Sequence, residues 1–423
     1  MNNDSGKIER LDNWEKLKIR EACSQIFSGG TPNTNKKEYW NGPFPWLSSG
    51  ETRNRFIRKT NNSITELGVE NSSTRLAKAG SSVIASAGQG HTRGQVSYLL
   101  IDTYINQSLI ALFPKERKLD SKFLFYILNM KYERLRQISD DHSIRGSLTT
   151  KVIGEEIIEL PSIQEQRDIA KILSDLDAKI ELNQKMSKTL EAIAQAIFKH
   201  WFIDFEFPNE EGKPYKSSGG EMVDSELGEI PKDWALKKLD EIANFLNGLP
   251  LQKYPASTED DYLPVIKIKE MNSGISASSD KASRDIPPEY VVENGDVLFA
   301  WSGSLGVIIW CNGKGALNQH IFKVSSKEYP KWFYYQWLLH YLPDFIEIAR
   351  DKATTMGHIQ RHHLSESLVA VPHSNTLEIM DKILSPIIDR IINLRIESRT
   401  LTEVRDLLLP HLISGKIRVR LEE

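Results

Sequence analysis

The sequence predicts an α+β protein of two domains related by an internal repeat, separated by two long helices that form an antiparallel coiled coil. Three observations carry this. The chain has 423 residues, more than one ordinary hydrophobic core organises. Its second half echoes its first in order. Two apolar ladders, one after each echoed segment, share a single offset.

In chain order, residues 1–157 form the first domain. Asn13, Trp14, Ile19, Glu21 and Cys23 open it, and they return at constant offset as Asp233, Trp234, Leu239, Glu241 and Ala243. Short apolar runs at Ser82–Ser86 and Leu109–Phe113 alternate with Gly, Asn and Ser turns, which is the texture of strands. Lys122–Arg136, rich in aromatic and leucine positions, reads as a helix.

Residues 158–207 carry the first long helix. Ile169, Leu173, Leu176, Ile180, Asn183, Ser187, Leu190, Ala194, Ile197 and Trp201 step by alternating fours and threes, a coiled-coil seam. Leu160-Pro161 precedes it, where proline ends extended chain. Residues 208–232, with Gly, Pro and Ser over 208–220, read as a linker.

Residues 233–368 repeat the first domain. Gly295-Asp-Val-Leu-Phe-Ala answers Gly80-Ser-Ser-Val-Ile-Ala, and Ala316-Leu-Asn-Gln answers Tyr104-Ile-Asn-Gln. Strands are expected at Tyr262–Ile268 and Gly306–Trp310 and a helix at Lys331–Ala349. Residues 369–423 repeat the seam as Met380, Leu384, Ile387, Ile391, Leu394, Ser398, Leu401, Arg405, Leu408 and Leu412, with Pro386 and Pro410 expected to bend the helix locally. The interface of the helix pair is assigned to Leu173, Leu176, Ile180, Leu190 and Ile197 on one helix. Leu384, Ile387, Ile391, Leu394, Leu401 and Leu408 supply the other side.

Composition narrows the function. With 40% hydrophobic and 26% charged residues the chain is globular. No run approaches the roughly 20 apolar residues of a membrane span, and the polar start lacks a secretory signal, so no membrane role and a cytoplasmic location are expected. The two cysteines, Cys23 and Cys311, are expected as free thiols. Net charge is −3, yet residues 1–157 hold 23 Lys and Arg against 17 Asp and Glu, leaving an excess of nine negative charges on the remainder. If the chain binds DNA, a partner should supply much of the phosphate neutralisation.

Catalytic motifs are missing. Asn41-Gly-Pro-Phe44 departs from an amino-methyltransferase Asn-Pro-Pro-Tyr element, and no Walker lysine loop occurs. Gly88–Gly94 lies between strands with the wrong spacing for a dinucleotide fingerprint, so it reads as a turn. Glu211-Gly-Lys213 has no strand context for nuclease chemistry, and His358, His362 and His363 lack the glutamate of a zinc protease. No metal and no cofactor are expected in this chain. The pairs Asn106-Gln107 and Asn318-Gln319 read as scaffold, and Trp14, Trp201, Phe202 and Trp234 as core or partner-facing anchors.

Several segments resemble one family. Ser28-Gly-Gly-Thr-Pro, Glu38-Tyr-Trp-Asn-Gly and Phe44-Pro-Trp-Leu look like the opening of a target-recognition domain in Type I restriction-modification specificity subunits. Leu160–Ile169 resembles that family's central conserved helix, Trp201–Phe205 with Ser225–Trp234 its link to the second recognition domain, and Leu407–Ile417 its closing helix. The resemblance runs nearly end to end. It implies a non-catalytic recognition subunit that binds a bipartite site on double-stranded DNA, one domain per half-site. It further implies two modification subunits, which would carry S-adenosylmethionine, docked on the helices. Restriction-translocase subunits using ATP and magnesium would join that core. The alternative is a self-contained fused restriction nuclease or methyltransferase.

Base readers are sought among loop residues whose donors and acceptors fit major-groove edges. In the first domain these are Ser48, Thr52, Arg53, Gln89, His91, Arg93 and Arg145. In the second they are Lys267, Lys269, Ser302, Ser304, His358, Gln360 and Arg361. Most weight falls on Asp141–Ser147 and Thr354–Arg361, which occupy matching places before the helix starts, the second resembling a family loop that reaches DNA.

Overall fold

The computed structural model describes residues 14–88, 92–142, 147–258, 260–351 and 357–419. The chain divides into two compact units, residues 1–178 with 402–423, and residues 179–401. Both boundaries fall inside long helices.

In the first unit, β1 (Glu15–Lys18) leads through the single turn α1 (Ile19–Ala22) to β2 (Cys23–Ser28), β3 (Trp40–Leu47), β4 (Phe56–Ile57) and β5 (Asn62–Ile64). The short helix α2 (Glu66–Glu70) precedes β6 (Arg75–Ala77), β7 (Ser82–Ala85), β8 (Val96–Leu99), β9 (Thr103–Ile105) and β10 (Leu109–Pro114). Then come α3 (Ser121–Met130), α4 (Tyr132–His142), α5 (Thr150–Glu155) and β11 (Ile157–Leu160). One sheet has the order β2-β10-β7-β8-β4, a second β5-β3-β9-β6, and β1 pairs with β11. The expected helix Lys122–Arg136 is thus two helices, parted at Lys131.

Alternation along the strands explains the layering, because neighbouring side chains point to opposite faces. Val83, Ala85, Leu109 and Ala111 join the buried cluster with Leu47 and Ile105, while Ile84, Ile110 and Leu112 join the cluster with Phe123 and Leu128 of α3. The central strands are therefore buried on both faces.

The second unit rebuilds this plan. A hairpin of β12 (Met222–Ser225) and β13 (Gly228–Pro231) precedes β14 (Ala235–Lys238), α7 (Leu239–Ile242), β15 (Asn244–Asn247), β16 (Leu263–Ile266) and α8 (Ile268–Ser273). The strands continue as β17 (Lys281–Ala282), β18 (Val291–Val292), β19 (Val297–Ala300), β20 (Gly306–Ile309), β21 (Gly315–Leu317) and β22 (Ile321–Ser325). Next are α9 (Lys331–Asp351), α10 (Arg361–Glu366) and β23 (Leu368–Val371). Sheet orders β15-β22-β19-β20 and β17-β16-β21-β18, with β14 on β23, reproduce the first unit strand for strand except for β4. Even the parallel pair recurs, Leu47 beside Ile105 and Ile266 beside Leu317.

A glycine marks the crossing in both units. A Cβ on Gly29 would stand 1.9 Å from the Ile105 carbonyl oxygen, and one on Gly248 would stand 2.2 Å from that of Asn318. Only glycine permits such backbone approach. The adjacent Asn106 and Asn318 are buried and accept the amide hydrogens of Ser108 and His320, a scaffold role.

The long helices are α6 (Ile163–Phe198), continued by a π-helical turn at Lys199–Ile203, and α11 (Ser374–Ile413). No position of either ladder is exposed; Leu173, Ile180, Leu384, Ile391 and Leu394 are buried, and Leu176, Leu190, Ile197, Ile387, Leu401 and Leu408 are half-buried. Within the first unit Asp177 pairs with Arg405, and within the second Asn183 bonds Glu397 and Arg395 bonds Ser187. Rising numbers on α6 meet falling numbers on α11, so the pairing is antiparallel. α11 runs unbroken through Pro386 and Pro410, both on its exposed side, where water can take the freed carbonyls.

The segment read as a linker is folded. Phe207 stacks on Tyr215 at 4.6 Å and on Trp234 at 5.0 Å, so residues 205–234 close the apolar core of the second unit. Trp14, Trp201, Phe202 and Trp234 are all buried. Cys23 and Cys311 are free and buried, and burial pushes the Cys23 thiol up to about 12. Among the described residues no helix is long and apolar enough to cross a membrane.

Candidate nucleic-acid interface

In the second unit the loop joining β19 to β20 and the segment leading into α10 meet. Gly303, at φ +68°, turns the loop back and donates its amide to the Gly357 carbonyl at 2.9 Å, while the Ile359 amide bonds Trp301 at 3.1 Å. Side chains fix the rest. Trp301 Nε1 donates to Asn247 Oδ1 at 3.0 Å, and Ser302 Oγ lies 3.0 Å from His320 Nδ1. Asn247, Trp301, Phe322, His358, Ile359, Gln360 and Arg361 line an open cleft.

Of the residues nominated here, His358, Gln360, Arg361 and Ser304 are exposed around that loop system, whereas Ser302 is buried. Arg361 is anchored as well as exposed. It donates to the Phe245 carbonyl at 3.2 Å and its guanidinium lies 5.6 Å from the Phe322 ring centre. Lys267 and Lys269 flank the start of α8, where Lys267 pairs with Asp280 and Lys269 donates to Ser278 at 2.9 Å. That helix is near the loop, since a Cβ on Gly303 would stand 3.5 Å from Ile268.

The first unit uses the equivalent position differently. Ser48 caps the 3₁₀ turn Ser49–Arg53, its hydroxyl donating to Glu51 at 3.2 Å. Thr52 is buried and donates to the Ser49 carbonyl at 2.7 Å, so its hydroxyl holds the turn, not a base; Arg53 alone of this turn's nominated residues is exposed. Arg93 turns inward onto Asp140, leaving little of its side chain in solvent. Gln89, His91 and Arg145 lie outside the described residues.

Asn247, Trp301 and Phe322 of the cleft escaped the sequence reading, as did His320, which holds Ser302 beside it. Their signal was adjacency to the repeated strands, with no motif of their own. Glu51 and Glu270 also escaped it. Both are buried, each accepting the amide hydrogen three residues before it, from Ser48 at 3.1 Å and Lys267 at 3.2 Å. His362, His363 and Glu366 bring their donor atoms within 4.8 Å of one another, but His363 is buried and its Nδ1 accepts the Gln360 amide hydrogen, which seats the helix start. Glu211 and Lys213 form an exposed pair with each other at 2.8 Å, in a turn.

Two copies of one sheet plan, each followed by a long helix, are what a family description matches twice: the Type I restriction modification DNA specificity domain fits residues 11–192 and again 231–404. The chain belongs to this family. Among its relatives, the Type I restriction enzyme MjaIX specificity subunit of Methanocaldococcus jannaschii is 28% identical over 98% of this chain and 96% of its own. The EcoR124I/EcoR124II specificity subunit of Escherichia coli is 30% identical over 43% of this chain and 46% of its own. The fold matches the crystal structure of a Type I restriction-modification S subunit from M. genitalium with a TM-score of 0.61 at 16% identity, covering 98% of this chain and 99% of that one.

Proposed function

We propose that this chain is the DNA sequence-recognition subunit of a Type I restriction-modification complex. Each unit reads one half of a bipartite site on double-stranded DNA, and the chain itself performs no chemistry. The observation that carries this reading is the duplication: the same two sheets in the same order in both units suit a target in two parts.

Docking of two modification subunits is supported by a second repeat. Ile172 and Val404 in the first unit, and Ile193 and Ile383 in the second, are each about two-fifths exposed on the long helices. Ile172 corresponds to Ile383, and Ile193 to Val404, under the ladder offset. Each unit thus offers water the same two apolar positions, one from each helix, as two identical partners require. S-adenosylmethionine would then enter with the modification subunits, and ATP and magnesium with the restriction-translocase subunits, all of them acting in the cytoplasm.

Mapping methylated adenines across a genome, with and without this chain, tests the reading. Methylation should follow a split motif that vanishes with the chain, and replacing residues 12–157 by another such domain should change one half only. A motif altered in both halves, or cleavage or methylation by the purified chain with magnesium or S-adenosylmethionine, overturns it.

A further inference from the structure

The ladders repeat, but the charged pairs between them do not. In the first unit Asp177 of α6 is buried and receives three donors: Arg405 of α11 at 2.7 Å, Tyr126 of α3 at 2.7 Å and Arg55 at 3.1 Å. In the second unit Glu191 of α6 pairs with Arg395 of α11, and Tyr335 of α9 lies against Glu191. Burial, followed by the neighbouring carboxylate, raises the pKa of each tyrosine. Near the start of α6, Glu165 takes Arg418 at 2.7 Å. In all three pairs the carboxylate belongs to α6 and the guanidinium to α11 or the segment just after it. The reverse pair, Lys179 with Glu397 at 3.3 Å, is about two-fifths exposed at both partners and therefore weaker.

We infer that the two helices are matched by charge as well as by shape, so that the face of α6 fits an α11, in this chain or a second copy, and rejects another α6. The repeat shows what self-pairing would meet. The α6 equivalents of Arg405 and Arg395 are Ala194 and Gln184, so a second α6 in the observed register sets Asp177 against alanine and Glu191 against an amide. The α11 equivalents of Asp177 and Glu191 are Ile388 and Thr402, so α11 against α11 strands both arginines. Ala194 and Ile388 belong to the apolar core of the second unit and carry no group that could answer a charge. A buried ion without its partner is among the costlier defects a helix interface can carry, and such residues fix register and partner choice. The apolar ladders alone, being copies, would permit either pairing.

Full-length charge variants test the rule. E191R gives both helices a cation at one layer, and R395E gives both an anion. Each alone should raise the unfolding equilibrium constant of the second unit about tenfold to a hundredfold, and the double variant E191R/R395E should recover most of that loss. Mixing E191R with R395E after joint refolding should yield a species of twice the 48.2 kDa chain mass by light scattering, because each chain's α6 then finds its match in the other's α11. A double variant no more stable than the singles, or a mixture that stays as monomers with the stability of the separate variants, overturns the inference.

Discussion

Gln360 and Arg361 are adjacent and both exposed, yet the structure assigns them different consequences. Gln360 uses its backbone amide to seat the helix start on His363 Nδ1, so Gln360→Ala removes the side-chain amide and leaves that bond in place. If the amide reads adenine through two hydrogen bonds, its loss costs about 1–3 kcal/mol at one base pair, roughly 5- to 150-fold. Arg361→Ala also removes the bond to the Phe245 carbonyl and the contact with Phe322. A charged hydrogen bond of about 1.5–3 kcal/mol and a cation–π contact of about 0.5–1 kcal/mol then leave the loop itself, so every position of that half-site should weaken together. The assay is methylation of a plasmid library with randomised half-sites, carried out with the modification subunit present. Uniform weakening by Gln360→Ala, or any change in the other half-site, would refute the reasoning.

Phe202→Ala should destabilise the second unit by about 3–5 kcal/mol, because Phe202 packs within 5.0–5.6 Å of the rings of Phe198, Trp234, Trp332 and Phe333; urea unfolding followed by tryptophan fluorescence reads it, and hydrogen exchange should place the loss in that unit. Burial opposes the charge on Glu156, but Arg134 and Lys131 outweigh it and hold its carboxyl below the ordinary 4.5. That stabilisation is present above pH 4.5 and lost as pH falls through the lower folded value, so Glu156→Gln should flatten the acid limb of the stability profile of the first unit. Deleting seven residues from each long helix preserves the ladder phase and removes about 10 Å of helix, which should shorten the unspecified spacer by about three base pairs with both half-sites unchanged; an unchanged spacer in methylation mapping would refute this.

The fold was legible wherever a period or a repeat carried it. Ile169 to Trp201 and Met380 to Leu412 announced their helices because a seven-residue pattern cannot persist by accident, and the strands at Ser82 and Gly306 announced themselves through β-branched runs between turns. The site was legible only in outline. Sequence chemistry marks Thr52 and Arg93 as hydrogen-bonding loop residues, but it cannot say that Thr52 holds its own turn or that Arg93 lies on Asp140, since both outcomes depend on neighbours brought in by the fold. Residues 208–220 misled for a related reason. Glycine and serine mark turns, and turns can be packed: Tyr215 sits on Phe207 because the aromatic residues around it had a core to complete.

Charge places a final constraint on how such a chain can hold DNA. Lys267 faces Asp280, Arg93 faces Asp140, Arg361 bonds a carbonyl, and Arg405 and Arg395 of α11 face Asp177 and Glu191. With a net charge of −3 and these cations engaged within the fold, the proposed function predicts that partner subunits supply much of the phosphate neutralisation. Phosphate contacts position a protein and base contacts specify the sequence, so in the proposed complex this subunit supplies the second and its partners much of the first. Such a division would also protect selectivity: a reader with little salt-dependent affinity of its own would gain little from non-specific DNA, and its discrimination between bases would be kept for the assembled complex.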